Sequence, residues 1–394
     1  MPCHKNAANS LHSSRESATM SGGGIHRWTL LTALLCCFFV IGCNSSSNSD
    51  VGKGTPSDII QSGEMKDLSS TGSFPKRLGK YEVINIFTDG TDNSLAKTNV
   101  ESVLVKHPDV GCLVGLWSAN TPMILQALGD KKGLGTVGVV GFDDHPDTLQ
   151  GIKDGHVRAT IVQAQYEFGF RAGEFLNALA TGGSVDVPDS EMLFIPHTAI
   201  TSENIAEFES ELQKMRAGEG PILDPIATMG TETPDGDLRF AFITNGPDPF
   251  WELAADGCKR AAGHYGISVE VQKPSNSSIE EQKRFLESNV TQSFAGVAIS
   301  PIDPANQSDM INTAAAKMPV VCVDSDAPGS DRRFYYGTSN YMAGREAGRL
   351  VKELLPDGGS VALFVGRMEV LNAQERSQGI IDELADIAIP VELQ

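Results

Sequence analysis

The chain has 394 residues, of which 40% are hydrophobic, so it can form two or three domains with sizeable cores. Its formal net charge at pH 7 is −19, which argues against a nucleic-acid partner because neutralising phosphates requires a basic surface. The seven cysteines do not have the spacing of a disulfide framework. Four lie in the first 43 residues, and Cys112, Cys258 and Cys322 are expected to be buried free thiols inside apolar elements.

Residues 1–43 have the pattern of a secretory targeting segment. An apolar stretch of about fifteen residues follows a slightly basic lead-in, and it is shorter than the roughly 20 residues that a membrane-spanning helix needs. It ends on Val-Ile-Gly-Cys at 40–43, which resembles the bacterial lipobox, so Cys43 is expected to be lipidated and to become the mature N-terminus. The alternative is an uncleaved anchor helix with a chance cysteine. Translation could begin at Met1 or at Met20.

After a predicted flexible linker at 44–80, strands and helices are predicted to alternate, which is typical of parallel α/β architecture. In the first run, residues 81–215, the predicted strands are 81–88, 110–116, 136–142 and 158–162, and the helices are 92–106, 120–131, 145–154, 166–180 and 202–215. Residues 216–237 are rich in Gly, Pro, Asp and Thr and are predicted to be a linker. In the second run, residues 238–394, the strands are 238–244, 267–272, 295–300, 319–323 and 360–365, and the helices are 250–264, 279–292, 305–317, 340–354 and 372–385.

The residues that follow the predicted strands indicate a ligand site, because open parallel sheets bind ligands beyond the carboxyl ends of their strands. Those ends carry carboxylates, planar amides, one guanidinium group and aromatic rings. They include Trp117, Asn120, Asp143, Gln163, Asn245, Phe250, Trp251, Ser300, Asp324, Asn372 and Arg376. Carboxylates, amides and guanidinium groups bind paired hydroxyls, and aromatic faces cover the C–H face of a sugar ring. This chemistry favours a neutral polyol ligand.

Some of these side chains have a simpler alternative role. Asp143 could cap the helix that follows it, and at least one of Phe250 and Trp251 could pack in the core. Arg376 could form a surface ion pair with an acidic neighbour on its helix. The sequence has no nucleophile–base arrangement, metal-ligand spacing or cofactor motif, so neither an enzyme nor a metal or cofactor is predicted.

Two parts of the chain resemble the two halves of the ribose-type periplasmic sugar-binding proteins, members of the type I solute-binding family. Residues 238–386 resemble the N-terminal half of that family through NGPDPFW, ISPIDP, VDSDAP, GTSNYMAGREAG and NAQERSQG. Residues 81–208 resemble the C-terminal half through TDGTDNSLAKTNVESVL, HPDVGCLVGLWSAN, VVGFDDHPDTLQGIKDG, QAQYEFG and TSENIAEF. The two halves stand in reverse order, so the chain is expected to be circularly permuted.

The resemblance implies a type I periplasmic binding protein fold, an α/β fold with two Rossmann-like lobes and parallel sheets. The chain is expected to cross a three-segment hinge near Gln163, His197 and Asn340. The permutation further implies that residues 81–88 lie parallel to 360–365 in one sheet, so that both runs form one two-lobed binding domain.

The resemblance also implies a function. It assigns sugar contacts to Asn120, Asp143, Gln163, Asn245, Phe250, Trp251, Ser300, Asp324 and Arg376. Thr91 stands where the ribose receptor has a stacking aromatic, which leaves the identity of the sugar open. The expected function is capture of a monosaccharide for the permease of an ABC importer, by a protein held in the periplasm or cell envelope through the lipid on Cys43. The alternatives are a sugar sensor for a chemoreceptor or sensor kinase, and a degenerate receptor that no longer binds.

Overall fold

In a computed structural model of the chain, the structure describes residues 73–232 and 238–393. These residues contain ten α-helices: α1 (Asn93–Lys106), α2 (Asn120–Asp130), α3 (Pro146–Lys153), α4 (Gln165–Ala180), α5 (Ile205–Lys214), α6 (Phe250–Tyr265), α7 (Ile279–Thr291), α8 (Pro304–Ala315), α9 (Asn340–Leu354) and α10 (Leu371–Leu384). They also contain the strands β1 (Lys76–Leu78), β2 (Tyr81–Thr88), β3 (Cys112–Gly115), β4 (Gly138–Phe142), β5 (Ala159–Val162), β6 (Ser184–Val185), β7 (Met192–Phe194), β8 (Thr198–Ile200), β9 (Ala227–Thr228), β10 (Arg239–Ile243), β11 (Ser268–Gln272), β12 (Gly296–Ile299), β13 (Val320–Val323), β14 (Tyr335–Gly337) and β15 (Gly359–Val365).

Most strands belong to two larger sheets, and each sheet is the centre of a lobe. The first lobe contains a parallel sheet of order β11-β10-β12-β13-β14-β7, with helices α4, α6, α7 and α8. The second lobe contains a sheet of order β1-β2-β15-β3-β4-β5-β8, in which only the outer strands β1 and β8 pair antiparallel. The remaining helices belong to this lobe, with α9 packed on α10.

The strand order brings the two ends of the described chain together. Strand β2 pairs in parallel with β15, from Tyr81 opposite Gly359 to Thr88 opposite Val365. The predicted pairing of residues 81–88 with 360–365 is therefore confirmed. The chain passes between the lobes after β5, after β7 and after β14, which agrees with the three predicted hinge crossings, and a further connection runs from α5 to β10.

The central strands lie in the middle of their sheets because their sequences are continuously apolar. Strands β3, β5, β12 and β13 are buried at every residue, as expected for parallel strands covered by helices on both faces. Cys112, Cys258 and Cys322 are buried free thiols, as predicted.

Several elements differ from the prediction. Strand β1 is ordered and paired although it falls within the predicted flexible linker 44–80. The predicted linker 216–237 contains part of a π-helical turn (Met215–Glu219) and strand β9, which pairs with β6. Strands β7 and β14 were not predicted, because three residues are too few to show a period of two. In the described parts of the chain, no helix is both long and apolar enough to cross a membrane, and the predicted targeting segment lies outside them.

Candidate functional site

A cavity of about 550 Å³ lies between the two lobes, where the carboxyl ends of the strands meet. Eight of the nine predicted site residues line it: Asn120, Asp143, Gln163, Asn245, Phe250, Trp251, Asp324 and Arg376. The cavity volume is in the range of small-molecule sites. The residues that follow the strand ends therefore meet at one cavity in the described structure.

Asp324 is the carboxylate that the first lobe contributes, directly after β13. Its Oδ2 accepts hydrogen bonds from Ser300 Oγ at 3.0 Å, from Asn372 Nδ2 at 3.2 Å and from Asn245 Nδ2 at 3.4 Å. Oδ1 has no partner among the described residues and is available to a ligand. Burial raises the pKa of Asp324 to about 6, although the nearby Arg376 opposes this shift. Asn372 belongs to the second lobe, so this carboxylate already connects the lobes.

Ser300 does not line the cavity, contrary to the prediction. It is fully buried after β12, where its backbone N–H still extends the ladder by donating to Ile243 O at 2.9 Å. Its hydroxyl donates a hydrogen bond to Asp324. Ser300 therefore positions the carboxylate.

Asp143 is the corresponding carboxylate of the second lobe, directly after β4. Its Oδ1 accepts a hydrogen bond from Gln163 Nε2 at 3.0 Å, and its backbone oxygen accepts one from Thr160 Oγ1 at 2.8 Å. Burial raises the pKa of Asp143 to about 7, against the opposing charge of Arg376. It does not cap α3, because the N-cap of that helix is His145.

Both carboxylates have a left-handed backbone conformation. The φ angle is +67° at Asp143 and +63° at Asp324. This region costs most residues about 1–2 kcal/mol, although Asp and Asn tolerate it better than others. Equivalent strained turns in both lobes, each presenting a buried carboxylate to one cavity, are typical of a ligand site.

Arg376 lies on α10 and is almost fully buried, so the alternative of a surface ion pair is wrong. Its Nε donates to Asn340 Oδ1 at 2.9 Å, and its Nη1 donates to the backbone oxygen of Leu116 at 2.8 Å. The guanidinium carbon lies 4.6 Å from the centre of the Phe142 ring. Nη2 is buried and has no partner in the described parts of the chain, so it is a donor without an acceptor. Such a group is costly unless a ligand satisfies it.

Aromatic rings from both lobes contribute to the walls. Phe250 and Trp251 meet edge to face at 4.8 Å, and Trp251 Nε1 donates to Asn245 Oδ1 at 3.1 Å. Trp251 is almost fully buried, so it packs in the core as well as lining the cavity. Trp117 comes from the second lobe and donates from Nε1 to Asn372 Oδ1 at 3.1 Å.

The loop after β3 is held by Asn120. Its Oδ1 accepts from Trp117 N at 2.9 Å, and its Nδ2 donates to Asp89 Oδ2 at 2.8 Å. Burial raises the pKa of Asp89 to about 6. Gly366 provides the space for the indole, because a Cβ there would lie 2.2 Å from a ring atom of Trp117. Asp89 was not singled out from the sequence, although it follows the strand β2 and the strand-end rule could have found it.

Comparison with known proteins identifies the family. The model for the periplasmic binding protein domain matches residues 60–184 and 240–393, well over half of the chain. The chain belongs to this family. The predicted resemblance to ribose-type periplasmic binding proteins is confirmed, and so is the type I fold.

Individual proteins resemble parts of this binding protein. Over 108 residues it is 31% identical to the ribose import binding protein of Salmonella typhimurium, covering 27% of this chain and 36% of that protein. A solute-binding protein of an ABC transporter from Burkholderia graminis, solved with D-arabinose, is 29% identical with a TM-score of 0.38, covering 39% of this chain and 54% of that chain. A sugar-binding protein of a sugar ABC transporter from Bacillus halodurans is 34% identical with a TM-score of 0.35, covering 38% and 51%. The chain thus spans only part of each relative, and the fold assignment rests on the strand order and the family match.

The unpaired atoms of the cleft define what this binding protein can hold. Arg376 Nη2 is a free donor, while Gln163 Oε1, Asp143 Oδ2 and Asp324 Oδ1 are free acceptors in the described structure. The excess of acceptors suits a ligand rich in O–H donors, and the aromatic walls suit one with an apolar face. No group of His, Cys, Asp and Glu able to hold a metal ion occurs in residues 73–232 and 238–393.

Proposed function

We propose that this protein captures a monosaccharide between its two lobes and delivers it to an ABC importer. The observation that carries the proposal is that Asp324 of the first lobe and Asp143 and Arg376 of the second lobe line one cavity, with free acceptors and one free donor in the described structure. Adjacent sugar hydroxyls can donate to the two carboxylates, and a hydroxyl oxygen can accept from the guanidinium group. The ring faces of Trp117 and Phe250 supply the apolar contacts.

Ligand-driven closure follows from the same geometry. A ligand that touches both lobes gains its full set of contacts only when the lobes are together, so it binds the closed arrangement better than the open one. Micromolar affinity corresponds to about −8 kcal/mol. Hydrogen bonds to charged groups contribute about 1.5–3 kcal/mol each, so several of them with ring stacking account for an affinity in this range.

A thermal-shift screen against pentoses and hexoses tests the proposal. A sugar present at 100 times its Kd should stabilise the protein by about 2.7 kcal/mol, and calorimetry should then give one site per chain. Amino acids and nucleosides serve as the matched negative panel. Stabilisation by one of those compounds and by no sugar would show that the ligand class is wrong.

We also propose that the protein is anchored in the cell envelope through acyl chains on Cys43, which lies outside the described residues. The lipobox-like sequence at 40–43 supports the anchor. Two or three acyl chains suffice for stable membrane attachment, whereas a single chain is marginal.

A circular permutation is the simplest account of the chain order. The parallel pairing of β2 with β15 supports it, because the family order would lead from α10 directly into β2. We expect a reordered chain, with residues 81–215 placed after residue 385, to fold and to bind the same sugar. A reordered chain that is folded but does not bind would contradict the permutation.

A further inference from the structure

The connection between α5 and β10 is packed against both lobes. We call its residues 215–228 the strap. On the second lobe, Arg216 Nη2 lies 2.9 Å from Asp144 Oδ2. Asp144 is buried and directly follows the cleft carboxylate Asp143, and its Oδ1 accepts from Gln165 Nε2 at 3.0 Å. The strap is therefore tied to the loop that presents one of the ligand-binding carboxylates.

The other end of the strap is tied to helix α4 of the first lobe. Glu174 Oε1 accepts the backbone N–H groups of Ile226 at 2.6 Å and Ala227 at 2.8 Å. Glu174 is fully buried, and its other oxygen accepts from Arg171. Tyr166 and Arg171 each donate to a backbone oxygen of the strap, at 2.9 and 2.8 Å. Bonds to a buried carboxylate are strong, so this attachment is firm.

We infer that the strap is a fourth connection between the lobes, which stabilises the closed arrangement of the cleft. Three crossings form the hinge, and a segment attached to both lobes beside that hinge restricts their rotation. The lobes are close in this structure, because Asn372 of the second lobe hydrogen-bonds Asp324 of the first. Opening the cleft would stretch the strap between its two attachments. Release of the strap from the second lobe would break the Arg216–Asp144 pair and leave that buried carboxylate without its cationic partner.

This role does not depend on which ligand binds. The apparent Kd of a protein with two arrangements is the intrinsic Kd divided by the closed fraction, so a strap that raises this fraction raises affinity without touching the ligand. A partly exposed ion pair contributes at most about 1 kcal/mol, which corresponds to about a fivefold change in the ratio of open to closed forms.

Severing the strap tests the inference on the ligand-free protein. A protease recognition sequence inserted after Gly218 interrupts the strap where residues 217–219 are exposed and a Cβ on Gly218 would meet nothing within 4 Å. Spin labels on cysteines at Val105 in the second lobe and Lys283 in the first, both exposed, report the interlobe distance. Cys112, Cys258 and Cys322 are buried and will not react with the label. The four cysteines of residues 1–43 are replaced by serine before labelling.

We expect cleavage to lengthen and broaden the interlobe distances, with the uncut insertion variant as the matched control. The ratio of open to closed forms should rise about fivefold or more. Unchanged distances after cleavage would overturn the inference. So would loss of the cooperative unfolding transition on cleavage, because the segment would then be part of the folding core.

A substitution distinguishes the effect of the Arg216 ion pair from the effect of the covalent connection through the strap. Arg216→Ala should raise the open fraction up to about fivefold. Arg284→Ala is the control, since the one ion pair of Arg284 within the described residues is with Glu281 on its own helix of the first lobe. Equal distances in both variants would rule out a role for Arg216 in closure. Because no sugar is used, these results stand apart from the proposed function.

Discussion

Asp143→Asn should make the protein more stable and a weaker binder. The substitution keeps the size of the side chain and an oxygen that can accept from Gln163. It adds no backbone strain, because Asn tolerates the φ of +67° as well as Asp does. What it removes is the charge on a buried group that forms no ion pair in the described structure.

The expected magnitudes follow from the pKa of Asp143, which burial raises from 3.8 to about 7. Between these two values the native state holds a proton that the unfolded state has lost, so the stability of the native protein falls as pH rises. One such group contributes a slope of at most about 1.4 kcal/mol per pH unit. Asparagine does not titrate, so the variant does not lose this stability as pH rises. Its free energy of unfolding should exceed that of the native protein by about 1–4 kcal/mol at pH 7.5 and should differ little near pH 4. Replacing a charged hydrogen bond by a neutral one should weaken sugar binding about five- to tenfold.

Urea unfolding at pH 4.5, 6 and 7.5, with calorimetry on the best sugar of the panel, measures both effects. Asp130→Asn is the control, because Asp130 is an exposed carboxylate of the same lobe that pairs with Lys97 at 2.6 Å. The Lys97 ammonium lowers the pKa of Asp130, so this control should lose a little stability and keep its sugar affinity. A lower stability of Asp143→Asn at pH 7.5, or an unchanged sugar affinity, would contradict this prediction.

Three further predictions follow from the site and the leader. Arg376→Ala should weaken sugar binding, measured by calorimetry, about 10- to 150-fold. It should also lower the free energy of unfolding, because Nε and Nη1 donate hydrogen bonds to Asn340 and to a backbone oxygen. An unaltered affinity would place the ligand elsewhere. Gly366→Ala should displace the Trp117 ring and weaken binding without removing a polar contact, while native-like affinity would show that the ring is not part of the site. Mass spectrometry of the membrane fraction should find a mature chain that begins at an acylated Cys43, and an unmodified cysteine would contradict the anchor.

Most of the fold could be predicted because the sequence patterns that indicate its helices and central strands extend over many residues. Runs of eight or more residues with a clear period gave helices such as α9 and α10, and continuous apolar runs gave the central strands. The short strands β7 and β14 carry no such signal. Strand β14 pairs with the edge of β13, and β7 pairs with the edge of β14. The proposed reverse order of the two halves rests on their resemblance to a family, since no local pattern in the sequence indicates which distant strands pair.

The strap shows the limit of compositional reasoning. Gly, Pro and Asp predict a flexible linker because they lack a period and cannot build a core. The segment is ordered instead by groups far away in sequence, chiefly the buried carboxylate of Glu174, which supplies acceptors for two backbone N–H groups. From the sequence, Glu174 would be expected to face solvent on its helix. Its carboxylate instead orders a loop about 50 positions later in the chain, and no local sequence pattern indicates this contact.

The cleft itself illustrates why residue type locates a site but not each contact. Ser300 and Asp324 both follow buried strands of one sheet, and the strand-end rule treats them alike. They differ in position: Asp324 lines the cavity, whereas Ser300 does not line it and donates from its hydroxyl to Oδ2 of Asp324. The same division recurs across the cleft, where Gln163 supports Asp143 on one oxygen and leaves the other free. Each lobe thus presents one carboxylate oxygen that the protein hydrogen-bonds and one without a partner in the described structure, and this arrangement is the reason why we propose a ligand whose hydroxyls donate to both lobes.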